Sequence, residues 1–390
     1  MRVALYHPWV YLTSGIERIF VEVLARSRHE WTIYTHHHEP DSTYPALREA
    51  NVVELQPAVS VVRELVPLAK AAATIAATRL PDDGSRVLLV SSEGLGDLVL
   101  TRNRIPAVCY CHTPLKIVHD QATRAAVADL GRTKAMLTSL IGPAFTTVDR
   151  RLWRRYRHVL ANSGETAKRI ESADLAPPGS VEVLRPGVDL ARFGGAEEGA
   201  RTRTFLVAGR IMWQKQIELA IDALRLARRD GLDADLVIAG AVDVKSRPYI
   251  ATLRERAADL PVRFEVDPTD EQLVELYRRS LALVFTPRNE DFGMVPLEAM
   301  AAGLPVLAVG VGGPTESVLH DRTGWLLRGE PDAFAAAMAG VAAMSDGELD
   351  AMRDACRARA AEFSWDTFTE RLDDVLDAVA DRRPVTPPGR

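Results

Sequence analysis

Leu281-Ala-Leu-Val-Phe285-Thr-Pro287-Arg-Asn-Glu290-Asp-Phe-Gly293-Met-Val-Pro296-Leu-Glu298-Ala-Met-Ala-Ala-Gly303 is the stretch on which the fold turns. It opens with five apolar residues, the length of a strand buried on both faces. Pro296 suits the first turn of a helix and Gly303 its C-terminal cap. A strand therefore runs through a loop into a helix. The same alternation extends outward in both directions. Strand-like runs lie at 204–208, 235–239, 262–266, 305–309 and 325–327, with amphipathic helices such as 218–227 and 271–277 between them. Earlier in the chain, apolar runs at 2–6, 31–34, 87–90, 107–110, 159–161 and 181–184 form a second series, with helical spacing over 16–25. Strands alternating with helices imply parallel pairing and a doubly wound sheet.

Between the two series, residues 186–203 lose periodicity and carry Pro186-Gly187, Gly194-Gly195 and Gly199. They read as a linker. The expected organisation is an N-terminal Rossmann-like domain over 1–185, a linker over 186–203 and a second Rossmann-like domain over 204–363. Beyond it lie a helix over about 364–380 and a flexible Pro- and Arg-rich tail over 382–390. A length of 390 residues fits two or three domains, and 47% hydrophobic with 26% charged residues argues against a disordered or fibrous chain. A net charge of −5 provides no global basic field for nucleic acid. Cys109, Cys111 and Cys356 are too few for a disulfide framework. No apolar window is long enough to span a bilayer. The expected location is cytoplasmic. Residues 65–77, Ala-rich around Lys70, read as a buried or amphipathic helix, so peripheral membrane contact stays open. In 150–157, Leu152, Trp153 and Tyr156 form an apolar stripe at helical spacing among arginines, which reads as core-facing, with an anionic membrane surface or acceptor as the alternative.

In the loop of the opening stretch, Glu290 precedes the helix and Glu298 lies in its first turns. Phe292, Gly293 and Met294 bring free backbone N–H groups to the helix N-terminus, a place suited to an anion. Two carboxylates beside it suit the hydroxyls of a polyol. Gly209-Arg210-Ile-Met-Trp-Gln-Lys215 follows the first strand of the second series. Gly209 permits a tight turn, and Arg210 with Lys215 matches a diphosphate. In the first half, Thr13-Ser-Gly15-Ile-Glu17-Arg18 lies between strand and helix, and Gly15 lets backbone approach a ligand. Cys111-His112-Thr113-Pro114 ends a strand, aiming His112 toward the cleft expected between the domains. His36-His37-His38 cannot all reach one metal from an extended chain and reads as a polar rim; no metal site is expected.

These residues resemble the retaining GT-B glycosyltransferases of family four, also called glycosyltransferase group 1, over nearly the whole chain. Ser14-Gly15-Ile-Glu-Arg resembles the family's glycine loop, with Ser14 in place of a first glycine. Pro186-Gly187-Val188-Asp189 resembles its interdomain signature, and Ser364-Trp365-Asp366 the start of a helix crossing back to the first domain. Gly209-Arg210 with Lys215 resembles its phosphate-binding pair, although Gln216 stands where a glycine is usual. Glu290 and Glu298, with seven residues between them, are similar to its paired glutamates. The resemblance implies that Arg210 and Lys215 hold the diphosphate and Glu298 the ribose. It implies that Glu290, with the Phe292, Gly293 and Met294 amides, holds the donor sugar. Gly15 would close over the phosphates, His112 would touch the sugar, and Val266 would flank the base. Transfer would retain configuration by a front-face route, the leaving phosphate accepting the acceptor's proton, with no cofactor or metal.

Tyr110-Cys-His-Thr-Pro114 followed by Asp120 resembles the mannosyltransferases that use GDP-mannose, though Lys116 and His119 depart from that subgroup. The expected activity is hexosyl transfer, leaning to mannose from a GDP-sugar. The acceptor is a lipid-linked sugar or small-molecule glycoside, and nucleic acid is not a partner. The alternatives are a UDP-sugar-dependent transferase of antibiotic or cell-envelope glycan synthesis, or another GT-B enzyme such as a nucleotide-sugar epimerase. A dehydrogenase would need a complete glycine fingerprint, which neither 13–18 nor 310–313 supplies.

Overall fold

Short valine-, leucine- and isoleucine-rich runs pair into two parallel sheets, one in each half of the chain. The computed structural model describes residues 1–62, 65–120, 132–194 and 202–386. The chain divides into two units, Met1–Pro186 with Trp365–Arg390, and Gly187–Ser364.

In the first unit, β1 (Arg2–Tyr6), β2 (Glu30–Thr35), β3 (Val52–Glu54), β4 (Val87–Ser92), β5 (Ala107–Cys111), β6 (Tyr156–Ala161) and β7 (Glu182–Val183) form one sheet. Its order is β3-β2-β1-β4-β5-β6-β7. Leu5 sits beside Ile33 on one side and Leu89 on the other, both in parallel register. Strands β4 and β5 are buried from end to end, as strands covered on both faces must be. Helix Gly15–Arg26 starts at Ser14, whose side chain accepts from the Ile16 amide, and it buries Ile19, Phe20 and Val23. Helix Trp365–Ala380 belongs to this unit. Its Phe368 ring meets Tyr110 edge-on at 5.5 Å. Arg26 donates to its Asp366 at 2.9 Å and Ser27 to its Asp373 at 2.7 Å, while Arg371 forks onto Glu182 at 2.6 and 2.9 Å.

The second unit holds β8 (Thr204–Ala208), β9 (Asp235–Gly240), β10 (Val262–Val266), β11 (Ala282–Phe285), β12 (Val306–Val309) and β13 (Gly324–Leu327), in the order β10-β9-β8-β11-β12-β13. Alternate residues serve two cores. Leu206, Val237 and Leu283 join Phe193, Tyr277 and Leu297 on one face. Phe205, Leu236 and Val284 join Leu224, Phe334 and Met338 on the other. This is the period-two alternation of a sheet sandwiched between helices.

Several expectations need correction. Residues 150–157 are not one helix: Arg132–Trp153 ends there, an Arg155 amide bond to the Leu152 carbonyl closes the turn, and Tyr156 opens β6. Leu152, Trp153 and Tyr156 are still buried together in the core, because pairing with β5 overrides helical spacing. Val52–Glu54 is an edge strand too short to show an alternation. The run at 181–184 pairs only at Glu182–Val183. Within the expected linker, Leu190–Phe193 is a helical turn capped by Asp189, and Val188 and Phe193 lie in the second unit's core. Residues 195–201 of that linker and 387–390 of the tail lie outside the described residues. The Arg371 guanidinium donates to the Thr386 carbonyl at 2.7 Å. His36, read as part of a polar rim, is fully buried, bonded to the Pro57 carbonyl and Thr78 hydroxyl at 3.0 Å each. Among the described residues no helix is long and apolar enough to cross a membrane, and no group of three metal-ligating side chains converges.

Candidate active site

Ligands of a doubly wound sheet gather beyond the carboxyl ends of two adjacent strands whose connections lead off in opposite directions. In the second unit those strands are β8 and β11, which pair directly although about 75 residues of chain separate them. The loops leaving them, 209–216 and 286–293, carry the residues singled out above. Gly209 takes φ +113°, turning the chain at the strand end. A single turn, Trp213–Lys215, then presents Lys215. Its Nζ donates to Glu290 at 2.8 Å, and each of the two side chains keeps 22% exposure. The pair is therefore held in place yet open to solvent. Thr286, buried at the end of β11, donates to the Lys215 carbonyl at 2.6 Å and ties the two loops together. Arg210 is exposed and makes no side-chain ion pair among the described residues.

Helix Met294–Ala301 begins behind Gly293 at φ +88°, with Phe292 buried beside it. The first amides of a helix have no carbonyl partner within it and carry its positive dipole end. Gly293, which caps this helix, lies against Glu290: a Cβ built on it would be 3.3 Å from the Glu290 Cγ. Glu298 lies one turn further on and accepts from the Tyr277 hydroxyl at 3.0 Å. Burial, reinforced by the Glu298 charge, pushes the Tyr277 hydroxyl well above its usual range, so it stays a donor.

Gln216 replaces an expected glycine and adopts what a glycine would: φ 49°, ψ 44°. A left-handed residue with a side chain costs roughly 1–2 kcal/mol. The loop shape survives the substitution at that cost.

In the first unit the corresponding strands are β1 and β4. His7 follows β1, and its Nδ1 lies 3.0 Å from the Ser91 carbonyl. His112 follows β5 and its Nε2 lies 2.8 Å from the Ser91 hydroxyl. The two rings stand edge to face at 6.4 Å. His112 is only 6% exposed, so it is buried at the strand end. Burial and then the neighbouring His7 push its pKa down to about 3, against the opposing pull of Glu93. Its imidazole is neutral at working pH, which makes it a hydrogen-bonding group and not a general acid. Gly15 opens its helix, and Glu17 folds back so that its carboxylate takes the Ser14 hydroxyl and the Leu12 amide. Burial raises the Glu17 carboxyl above its usual value, while the Ser14 bond works in the opposite sense.

Residues 195–363 match the family described as glycosyl transferases group 1, and residues 18–192 match glycosyltransferase family 4. Each half of the chain is thus similar to a glycosyltransferase domain. Its relatives include D-inositol 3-phosphate glycosyltransferases of Streptomyces avermitilis, 35% identical over 58% of this chain and 53% of that one, and of Streptomyces scabiei, 32% identical over 73% and 65%. The chain thus spans between half and two thirds of the length of these curated relatives. Its fold is similar to the Anabaena protein HepE solved in complex with UDP, at TM-score 0.72 and 18% identity, covering 97% of this chain and 100% of that one. It is equally similar to sucrose-phosphate synthase from Thermosynechococcus elongatus, at TM-score 0.72 and 19% identity, covering 98% and 100%. Two Rossmann-like parallel-sheet domains give the chain a GT-B fold.

Within each unit the structure brings the predicted residues to the carboxyl ends of the strands. It adds others that sequence reasoning passed over. Tyr277 was legible only as an apolar position of a helix. Gly312 and Gly313, rejected as a nucleotide fingerprint, instead support the Glu290 loop. The Gly313 amide donates to the Glu290 carbonyl at 3.1 Å. A Cβ on Gly313 would lie 2.2 Å from the Phe292 carbonyl oxygen, and one on Gly312, at φ +71°, 2.5 Å from that of Glu290. Only glycine allows so close an approach. His7 and Glu17 carried no local signal beyond ending a strand and following a glycine.

Proposed function

We propose that this protein transfers a hexose from a nucleoside diphosphate sugar to an acceptor hydroxyl with retention of configuration and without a metal. The observation that carries the reading is the Lys215–Glu290 pair at the β8/β11 junction, beside the amides that open helix Met294–Ala301. As the anomeric bond breaks, negative charge collects on the departing phosphate. Arg210, Lys215 and the Phe292, Gly293 and Met294 amides are the groups to stabilise it. Glu290 steadies Lys215 and takes a sugar hydroxyl. Glu298, oriented by Tyr277, takes the ribose. The departing phosphate oxygen accepts the acceptor's proton, so no separate base is required of the neutral His112.

The Tyr110-Cys-His-Thr-Pro114 stretch supports GDP-mannose as the donor. The relatives' name, D-inositol 3-phosphate glycosyltransferase, supports a phosphorylated cyclic polyol among acceptors. Thermal shift and titration calorimetry with GDP, UDP, ADP and TDP test the reading. GDP at 100 times its Kd is expected to stabilise by about 2.7 kcal/mol. Lys215→Ala is expected to lower transfer about a hundredfold, with wild-type activity unchanged in EDTA. UDP binding tenfold tighter than GDP removes the mannose assignment. Activity lost in EDTA and restored by Mn²⁺ refutes the metal-free site.

A further inference from the structure

Asn103, only 6% exposed, knots three stretches of the first unit together. Its side-chain amide donates to the Thr78 and Val99 carbonyls at 2.9 and 2.7 Å, and its Oδ1 accepts from the Leu80 amide at 2.9 Å. The Arg155 guanidinium donates to its backbone carbonyl. Arg79, Arg102 and Arg104 flank this knot, and all three are exposed. Arg154 is exposed beside the half-buried Arg155, and Arg151 is exposed one helical turn earlier. These arginines gather where the connections 102–106 and 154–155 enter the paired strands β5 and β6. None of them meets a carboxylate among the described residues, whereas Arg26, Arg28, Arg86 and Arg371 of the same unit all do. Burial and then the Arg104 charge lower the Arg155 pKa, so these two guanidinium groups sense each other. Like charges held together without counter-charge repel one another and favour an anionic partner.

The chemistry of that partner follows from what surrounds the arginines. Trp153 and Tyr156 are buried, so no ring of this run is offered to a nucleic acid base. The whole chain carries −5, so a long dissolved polyanion meets repulsion as well as attraction. The pull of the cluster reaches only about 8 Å at physiological salt, which suits a surface that touches this end alone. Val148, 49% exposed, lies one turn before Arg151 and adds an apolar contact. We infer that this end of the first unit docks on a bilayer surface of anionic lipids. The arginines lie at the amino ends of β5 and β6, whereas His7 and His112 follow the carboxyl ends of β1 and β5. Docking therefore keeps those loops about 17 Å from the lipid, the length of a five-residue strand. It is independent of the donor chemistry proposed above.

Two double variants test it: Arg102→Gln with Arg104→Gln, and Arg151→Gln with Arg154→Gln. Both remove exposed cations outside the candidate site. Wild type and variants are sedimented with vesicles of phosphatidylcholine alone and of phosphatidylcholine with about one-third phosphatidylglycerol, at about 0.1 M and about 1 M salt. Wild type is expected to bind only the anionic vesicles and to leave them at the higher salt. Each double variant is expected to bind them about tenfold more weakly and to melt no lower than wild type. Lipid selectivity and salt release are read on wild type, so they stand even where a variant folds poorly. Wild type that stays unbound, binds both vesicles alike or is matched by both variants overturns the inference. So does an oligonucleotide that binds more tightly than anionic vesicles at equal phosphate and is lost in the same variants, because nucleic acid is then the partner. A wild-type dimer that the variants dissolve, seen by sedimentation velocity, assigns the patch to a second copy of the chain and overturns it too.

Discussion

Gly313→Ala is the sharpest perturbation the structure offers, because the residue sits at φ values any side chain tolerates and only space opposes the change. The added methyl would lie 2.2 Å from the Phe292 carbonyl oxygen and 2.3 Å from its Cα. Ordinary contact distances require the two loops to part by about 1 Å or more. Both contacts are backbone, so no side chain can swing aside. Overpacking of this kind costs about 1–3 kcal/mol. For a domain of this size that is roughly 2–4 °C of melting temperature per kcal/mol. The loop that must yield carries Glu290, whose carbonyl holds the Gly313 amide at 3.1 Å. A displacement near 1 Å of a positioning group can cost about a hundredfold in turnover. Scanning calorimetry and donor-dependent turnover measure the two effects. Gly340→Ala is the control: it lies within helix Pro331–Ala342, and a Cβ there meets nothing within 4 Å. It is expected to stabilise by about 0.5–1 kcal/mol and leave turnover unchanged. A Gly313→Ala protein that melts and turns over like wild type would refute the support assigned to this loop.

Tyr277→Phe removes the hydroxyl that orients Glu298 and is expected to weaken nucleotide binding about three- to tenfold with little change in turnover; calorimetric titration checks it, and a fall in kcat without a change in affinity contradicts it. Acid should detach the C-terminal helix. Burial opposes ionisation of Glu182, but hydrogen bonds from His158 and Arg371 prevail and bring its pKa down to about 2. Because the folded value lies below the ordinary one, this stabilisation is complete above about pH 5 and is lost as pH falls toward 2. Arg371→Met is expected to flatten that part of the stability profile, as read by urea melts at stepped pH; an unchanged slope would remove Glu182 from the account.

The alternation of short apolar runs with amphipathic helices was sufficient, read along the chain, to establish parallel sheets and two Rossmann-like units. Strand and helix periods are local properties, so they survive in one dimension. The loop chemistry was legible for the same reason: Glu290, Gly293 and Glu298 belong to a single strand–loop–helix passage, and Pro296 marks where its helix begins. Residues 150–157 show the limit. Their spacing fitted a helix, and pairing of β6 with β5 made Tyr156 a strand residue instead.

Contacts between elements were decided only in three dimensions. Periodicity says that a run is a strand but not which strand lies beside it. That choice comes from packing both faces of the sheet at once. Placing β8 next to β11 brings Lys215 to Glu290 and Thr286 to the Lys215 carbonyl. Placing β12 on the far side of β11 wedges Gly312-Gly313 under the Glu290 loop. Packing of helix Asp270–Arg279 delivers Tyr277 to Glu298. The burial of His112 against Ser91 has the same origin, since β5 pairs with β4. The sequence by itself determined which residues are candidates to bind a nucleotide sugar. The order of strands, which no local pattern encodes, determined which of them meet.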